Sequence, residues 1–159
     1  MPEDAPLLFA IAGLNASLSG LAGLVAGLRR GPDFAPLYLY RLRQIVEFAF
    51  FNALLAVSMI PLTGLVGQDG AIRVAGSIAF VGLWIDALIL FRRMRRMGVN
   101  VGTVPLRIVI LLDLVVVALA PAVVVSANPS VFELLLITML ARPMLAFLLV
   151  LASLEAAQD

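Results

Sequence analysis

The run Arg92-Arg93-Met94-Arg95-Arg96-Met97 decides how the rest of the chain is read. It closes one long apolar stretch, and Arg107 stands at the mouth of the next. Earlier in the chain Arg29, Arg30, Arg41 and Arg43 punctuate a similar gap. These nine are all but two of the eleven basic residues, and there is no lysine. The other gaps between apolar stretches hold almost no positive charge. Positive charge confined to alternate loops is the pattern of a chain threaded through a bilayer with those loops on the cytoplasmic side.

Composition agrees with that reading. Of the 159 residues 63% are apolar and only 13% are charged, against roughly 25% charged in a soluble domain. The chain has no cysteine and no histidine. Disulfides, thiolate nucleophiles and Cys/His zinc sites are therefore excluded, and no cofactor or metal is expected. The acidic start, Met1-Pro2-Glu3-Asp4, stands where a secretory signal carries positive charge. The first apolar run is thus expected to stay as a permanent span.

Five runs have the length a bilayer requires, about 20 residues. They lie near residues 6–28, 44–66, 72–91, 107–126 and 131–153. The predicted fold is all-α: one membrane domain over residues 1–159, a polytopic bundle of five transmembrane helices in the inner membrane. With both arginine clusters inside, the N-terminus lies outside and the C-terminus is cytoplasmic. Gln68-Asp69-Gly70 and the uncharged Asn128-Pro129-Ser130 read as the outer turns, and Arg73 is the one outer cation. Arg142-Pro143 falls at the middle of the fifth span. A continuous helix, kinked at the proline, is expected there; a re-entrant hairpin is the alternative and would place the C-terminus outside.

The two clusters also align with each other. Ile11-Ala12-Gly13 and Val74-Ala75-Gly76 are offset by 63 residues, as are Arg29-Arg30 and Arg92-Arg93. This points to a repeat of residues 11–66 in residues 74–126, two parallel helical hairpins followed by a fifth helix.

Within the first span, Asn15, Ser19, Gly23 and Gly27 recur every four residues and end in a GxxxG, with Ala12, Ala16 and Gly20 widening the stripe. Small residues let helices approach closely in lipid, so this stripe is the expected packing face. Glu47, Asp86, Asp113 and Arg142 are charges inside spans 2 to 5 and form a candidate intramembrane polar site. Ordinary pairing competes with that reading: Glu47 follows Arg43 by four residues on one helix face. Arg92, Arg93, Arg95 and Arg96 face anionic headgroups at the inner surface, with Tyr38 and Tyr40 as interfacial aromatics. The run is too short to read nucleic acid. No catalytic constellation exists, because no histidine activates any serine, and no phosphate-binding or dinucleotide motif is present. The expected role is a non-enzymatic membrane subunit or scaffold, self-associating or bound to a membrane partner. The alternative is a small transporter or channel component with a carboxylate-lined path in the cytoplasmic half.

Overall fold

A long apolar chain in lipid must satisfy its backbone internally, and the helix does so residue by residue. The computed structural model describes residues 5–28, 36–97 and 104–155. α1 spans Ala5–Leu28, α2 Pro36–Met97, α3 Val104–Ser126 and α4 Pro129–Glu155. Among the described residues there is no strand. Three stretches are long and apolar enough to cross a membrane, Ala5–Gly27, Leu42–Ile89 and Pro129–Ala152, and Ile110–Ser126 is a shorter apolar helix.

Among the described residues four helices stand where five were expected. The spans near 44–66 and 72–91 both lie in α2, which is 62 residues long. Gln68, Asp69 and Gly70 are helical, and the interruption falls one residue earlier, at Gly67, with φ 75 and ψ 171. Those angles belong to a region that glycine alone occupies at low cost. One such residue redirects the chain, so no polar loop is needed. Helix resumes at once, and the Asp69 carboxylate then suits the positive N-terminal end of the second arm. A Cβ built on Gly70 would lie 3.1 Å from Val66 Cβ, where i,i+4 neighbours on a regular helix stand about 5–6 Å apart. The chain therefore bends sharply between Val66 and Gly70, dividing α2 into arms over 36–66 and 68–97.

The corner between α3 and α4 is built by capping. Ala127 adopts φ 50, the left-handed conformation that ends many helices, and its N–H donates to Val123 O at 2.9 Å. Asn128 then opens α4: its Oδ1 accepts from Ser130 N at 2.9 Å, and Pro129 occupies the first helical position. Proline fits there because its missing N–H would have no helical acceptor. α4 runs unbroken through Arg142-Pro143 to Glu155, the continuous form of the fifth span.

The described residues group into two compact units. The first, Ser58–Thr138, takes in the second arm of α2, α3 and the start of α4. On the arm, Ala71, Ala75 and Ala79 are fully buried at four-residue steps, and Val116, Ala120 and Val123 are buried on α3. A Cβ on Gly76 would meet Val123 Cγ1 at 2.8 Å. Glycine is required there because the arm lies that close to α3. Next to this contact Arg73 Nη1 donates to Val124 O at 3.2 Å. Val124 is within the last turn of α3, so its carbonyl lacks a helical donor, and the guanidinium supplies one.

The second unit comprises α1, α2 as far as Val57, and α4 from Met139. Its core cluster is Leu18 and Ala22 of α1, Leu42 and Ile45 of α2, and Val150 of α4, flanked by Val25, Val46 and Phe147. Leucine, isoleucine and valine side chains pack here around the small Ala22, with Ala26 and Ala146 partly buried beside them.

Candidate functional site

The stripe on α1 divides. Asn15 is fully buried and Ser19 half-buried, whereas Gly23 and Gly27 are exposed. At 3.6 residues per turn a four-residue step overshoots by roughly 40°, so three steps rotate the stripe by about 120°. Its start lies on the packed side of α1 and its end does not. The buried side is instead Leu8, Ile11, Asn15, Leu18 and Ala22, in alternating three- and four-residue steps as a helix face requires, with Ala12 beside them.

A second line of small residues follows that same alternation on the open side. Gly13, Ala16, Gly20, Gly23 and Gly27 are all exposed. A Cβ added at any of the four glycines would meet nothing within 4 Å. Leu14, Leu21 and Leu24 are exposed beside this line. The face of α1 with the least side chain is thus the one that nothing among the described residues covers.

Buried polarity lies in the same unit. Asn15 Nδ2 donates to Ile11 O at 2.8 Å, one turn back on its own helix. Its Oδ1 is buried and accepts no hydrogen bond among the described residues. Asn52 on α2 is also fully buried. Sequence reasoning passed over Asn52, although an amide in the middle of an apolar span is itself the signal.

The charged residues are placed as follows. Arg43 Nε donates to Glu47 Oε1 at 2.6 Å on the exposed side of α2, the i,i+4 pair that their spacing allows. The Arg142 guanidinium lies over the Phe48 ring, 4.1 Å from its centroid, an attraction of about 0.5–2 kcal/mol. Glu47, Phe48 and Arg142 belong to the second unit. Asp86 and Asp113 belong to the first, where each is half-buried and partnered. Among the described residues no three carboxylates gather where a metal ion could be held.

The hydroxyls turn inward on their own helices. Ser17, Thr63, Ser77, Ser126 and Thr138 each donate to the carbonyl four residues back, at 2.7–2.9 Å. This satisfies a hydroxyl without a partner helix or water. Trp84 is exposed and meets Phe80 edge-on, with centroids 6.3 Å apart.

Arg92 is exposed on α2. Arg29 and Arg30 lie outside the described residues, and the side chains of Tyr38, Tyr40, Arg41, Arg93, Arg95, Arg96 and Arg107 are likewise outside them. The repeat partners differ in setting: Gly76 is pressed against Val123, whereas Gly13 faces open space. Ala12 and Ala75 are both buried. No protein-family model, curated protein or solved structure matches this chain.

Proposed function

We propose that this chain is a small inner-membrane protein of five crossings that works as a non-enzymatic subunit, docking another transmembrane helix on the small-residue face of α1. The observation that carries this reading is the line Gly13, Ala16, Gly20, Gly23 and Gly27, exposed and without a neighbour at any glycine. A helix surface of that kind admits a second backbone closely, which is how helices associate where lipid is as apolar as leucine. The occupant is a second copy of the chain or a membrane partner.

The five crossings follow from length. The apolar stretch Leu42–Ile89 has 48 residues, roughly 72 Å as a straight helix, against a hydrocarbon core of about 30 Å. Bent at Gly67, it supplies two crossings. α3, at 23 residues, is long enough for one more. The arginine clusters then favour an outer N-terminus and a cytoplasmic C-terminus, with Arg92, Arg93, Arg95 and Arg96 against anionic headgroups.

Assembly is favoured over conduction by how the polar groups are spent. Glu47 is bonded to Arg43, Arg142 rests on Phe48, five hydroxyls bond their own helices, and Asp86 and Asp113 are each half-buried with a partner. A carboxylate-lined path would need such groups turned toward one another or toward water.

The test is photo-crosslinking in native membranes from a benzophenone amino acid placed at Leu24, comparing Gly20→Leu/Gly23→Leu with Leu14→Ile, an exposed control on the same helix. The glycine variant should lose the crosslinked species at least about tenfold, since bulk at a small-residue interface removes close approach, while its own resistance to unfolding in detergent is unchanged. Full crosslinking by the glycine variant would sink the docking reading.

A further inference from the structure

Three helical stretches that end at the Gly67 bend or at the α3–α4 corner can be measured against the arginines that mark the inner surface. This rests on the five-crossing reading above. Counting about 20 residues from an anchoring arginine reaches the far edge of the hydrocarbon. From Arg43 that edge falls near Gly64; from Arg92, counting back, near Ile72; from Arg107, near Ala127. Independent counts along three helical segments therefore place the Gly67 bend and the α3–α4 corner at one depth. The hydrogen bond from Arg73 to Val124 O at 3.2 Å joins these same two places, which the ruler did not use.

The side chains at that depth are unusual for a loop in water. Leu65 is 80% exposed and Val125 77%, the two most exposed large apolar residues described, and Val66 is 53% exposed. Between the two edges on α2 lie about eight residues, so the apex rises only about 6 Å, four residues at 1.5 Å each. The headgroup layer is about 5–7 Å thick on each side. The apex of the bend thus reaches about the height of that layer and no further.

We propose that this end of the unit is seated in the headgroup layer of the outer leaflet, with Leu65, Val66 and Val125 against lipid at the acyl boundary. Gln68 and Asp69 then lie among the headgroups. Among the described residues, this end then offers a soluble partner little beyond Gln68 and Asp69.

Because the chain has no cysteine, single cysteines report depth directly. Leu65→Cys and Val125→Cys probe the end, and Leu54→Cys and Val81→Cys probe exposed mid-span positions; a fluorophore on each is read in phosphatidylglycerol–phosphatidylethanolamine vesicles carrying shallow or deep spin-labelled lipids. At Leu65 and Val125 the shallow label should quench more than the deep one. Reaction there with a membrane-impermeant maleimide should be about tenfold slower than with free cysteine, because leaving water disfavours the reactive thiolate. Rapid labelling without lipid quenching at these two sites, with Leu54 and Val81 still quenched by the deep label, overturns the seating alone. Slow labelling without quenching also overturns it and shows protein covering the end. Loss of deep quenching at Leu54 and Val81 overturns the seating together with the five crossings.

Discussion

Two of the described residues hold backbone angles that side chains normally avoid, and their costs run in opposite directions. Gly67, at φ 75 and ψ 171, is a site where any Cβ adds strain of about 1–3 kcal/mol. Gly67→Ala should lower stability by that amount in an SDS unfolding titration. Gly64→Ala, three residues away with nothing within 4 Å of its Cβ, should be neutral or slightly stabilising, since alanine favours helix by about 1 kcal/mol over glycine. Equal effects would contradict the assignment of the bend to Gly67. Ala127, at φ 50, is the reverse case. A left-handed alanine costs about 1–2 kcal/mol, while glycine adds about 0.4–1 kcal/mol of unfolded-chain freedom. Ala127→Gly should therefore gain roughly 0.5–1 kcal/mol in the same titration, and a loss of stability would show that the corner does not need that conformation.

At the scale of the element, the contact faces are set by alanine more than by glycine. Ala71, Ala75 and Ala79 bury completely at four-residue spacing, whereas Gly13, Gly20, Gly23 and Gly27 stay open. Gly76 is the exception, pressed against Val123. Replacing Ala75 by Leu should cost about 1–3 kcal/mol by overpacking, and Ile78→Leu, on the exposed side of the same arm, should cost far less. Retained stability in the alanine variant would argue against close packing along this arm.

This division explains what could be read from the sequence. Helix class followed from apolar length alone, and Asn128-Pro129-Ser130 was readable as a turn; that it also caps α4 was missed, although cap chemistry depends only on local residues. The break in α2 was placed at Gln68-Asp69-Gly70 because polar residues suggest loops, yet the backbone needed only the glycine before them. The α1 stripe was legible as small residues, but which small face packs is decided by neighbouring helices. Arg43 and Glu47 were readable as a pair because four residues on one helix suffice. The contact of Arg142 with Phe48, far apart in the chain, carries no local signal.

For the molecule as a whole, the proposed orientation rests on charge outside the hydrocarbon. Replacing Arg92, Arg93, Arg95 and Arg96 together by Gln removes the larger inner cluster, and orientation follows such charge. An Asn128→Cys reporter should react with an impermeant thiol reagent only from the outer side in the otherwise natural chain. In the neutralised variant it should react from both. Unchanged one-sided labelling would mean that the remaining arginines fix the topology.

The division of α4 bears on how the protein is made. Residues up to Thr138 complete one unit and those from Met139 complete the other, yet α4 is the last of the described helices to leave the ribosome. Neither unit is complete until α4 has been made. Both wait for the same late segment, so a nascent chain stalled before Pro129 would hold two half-built bundles at once and offer quality-control proteases two targets rather than one.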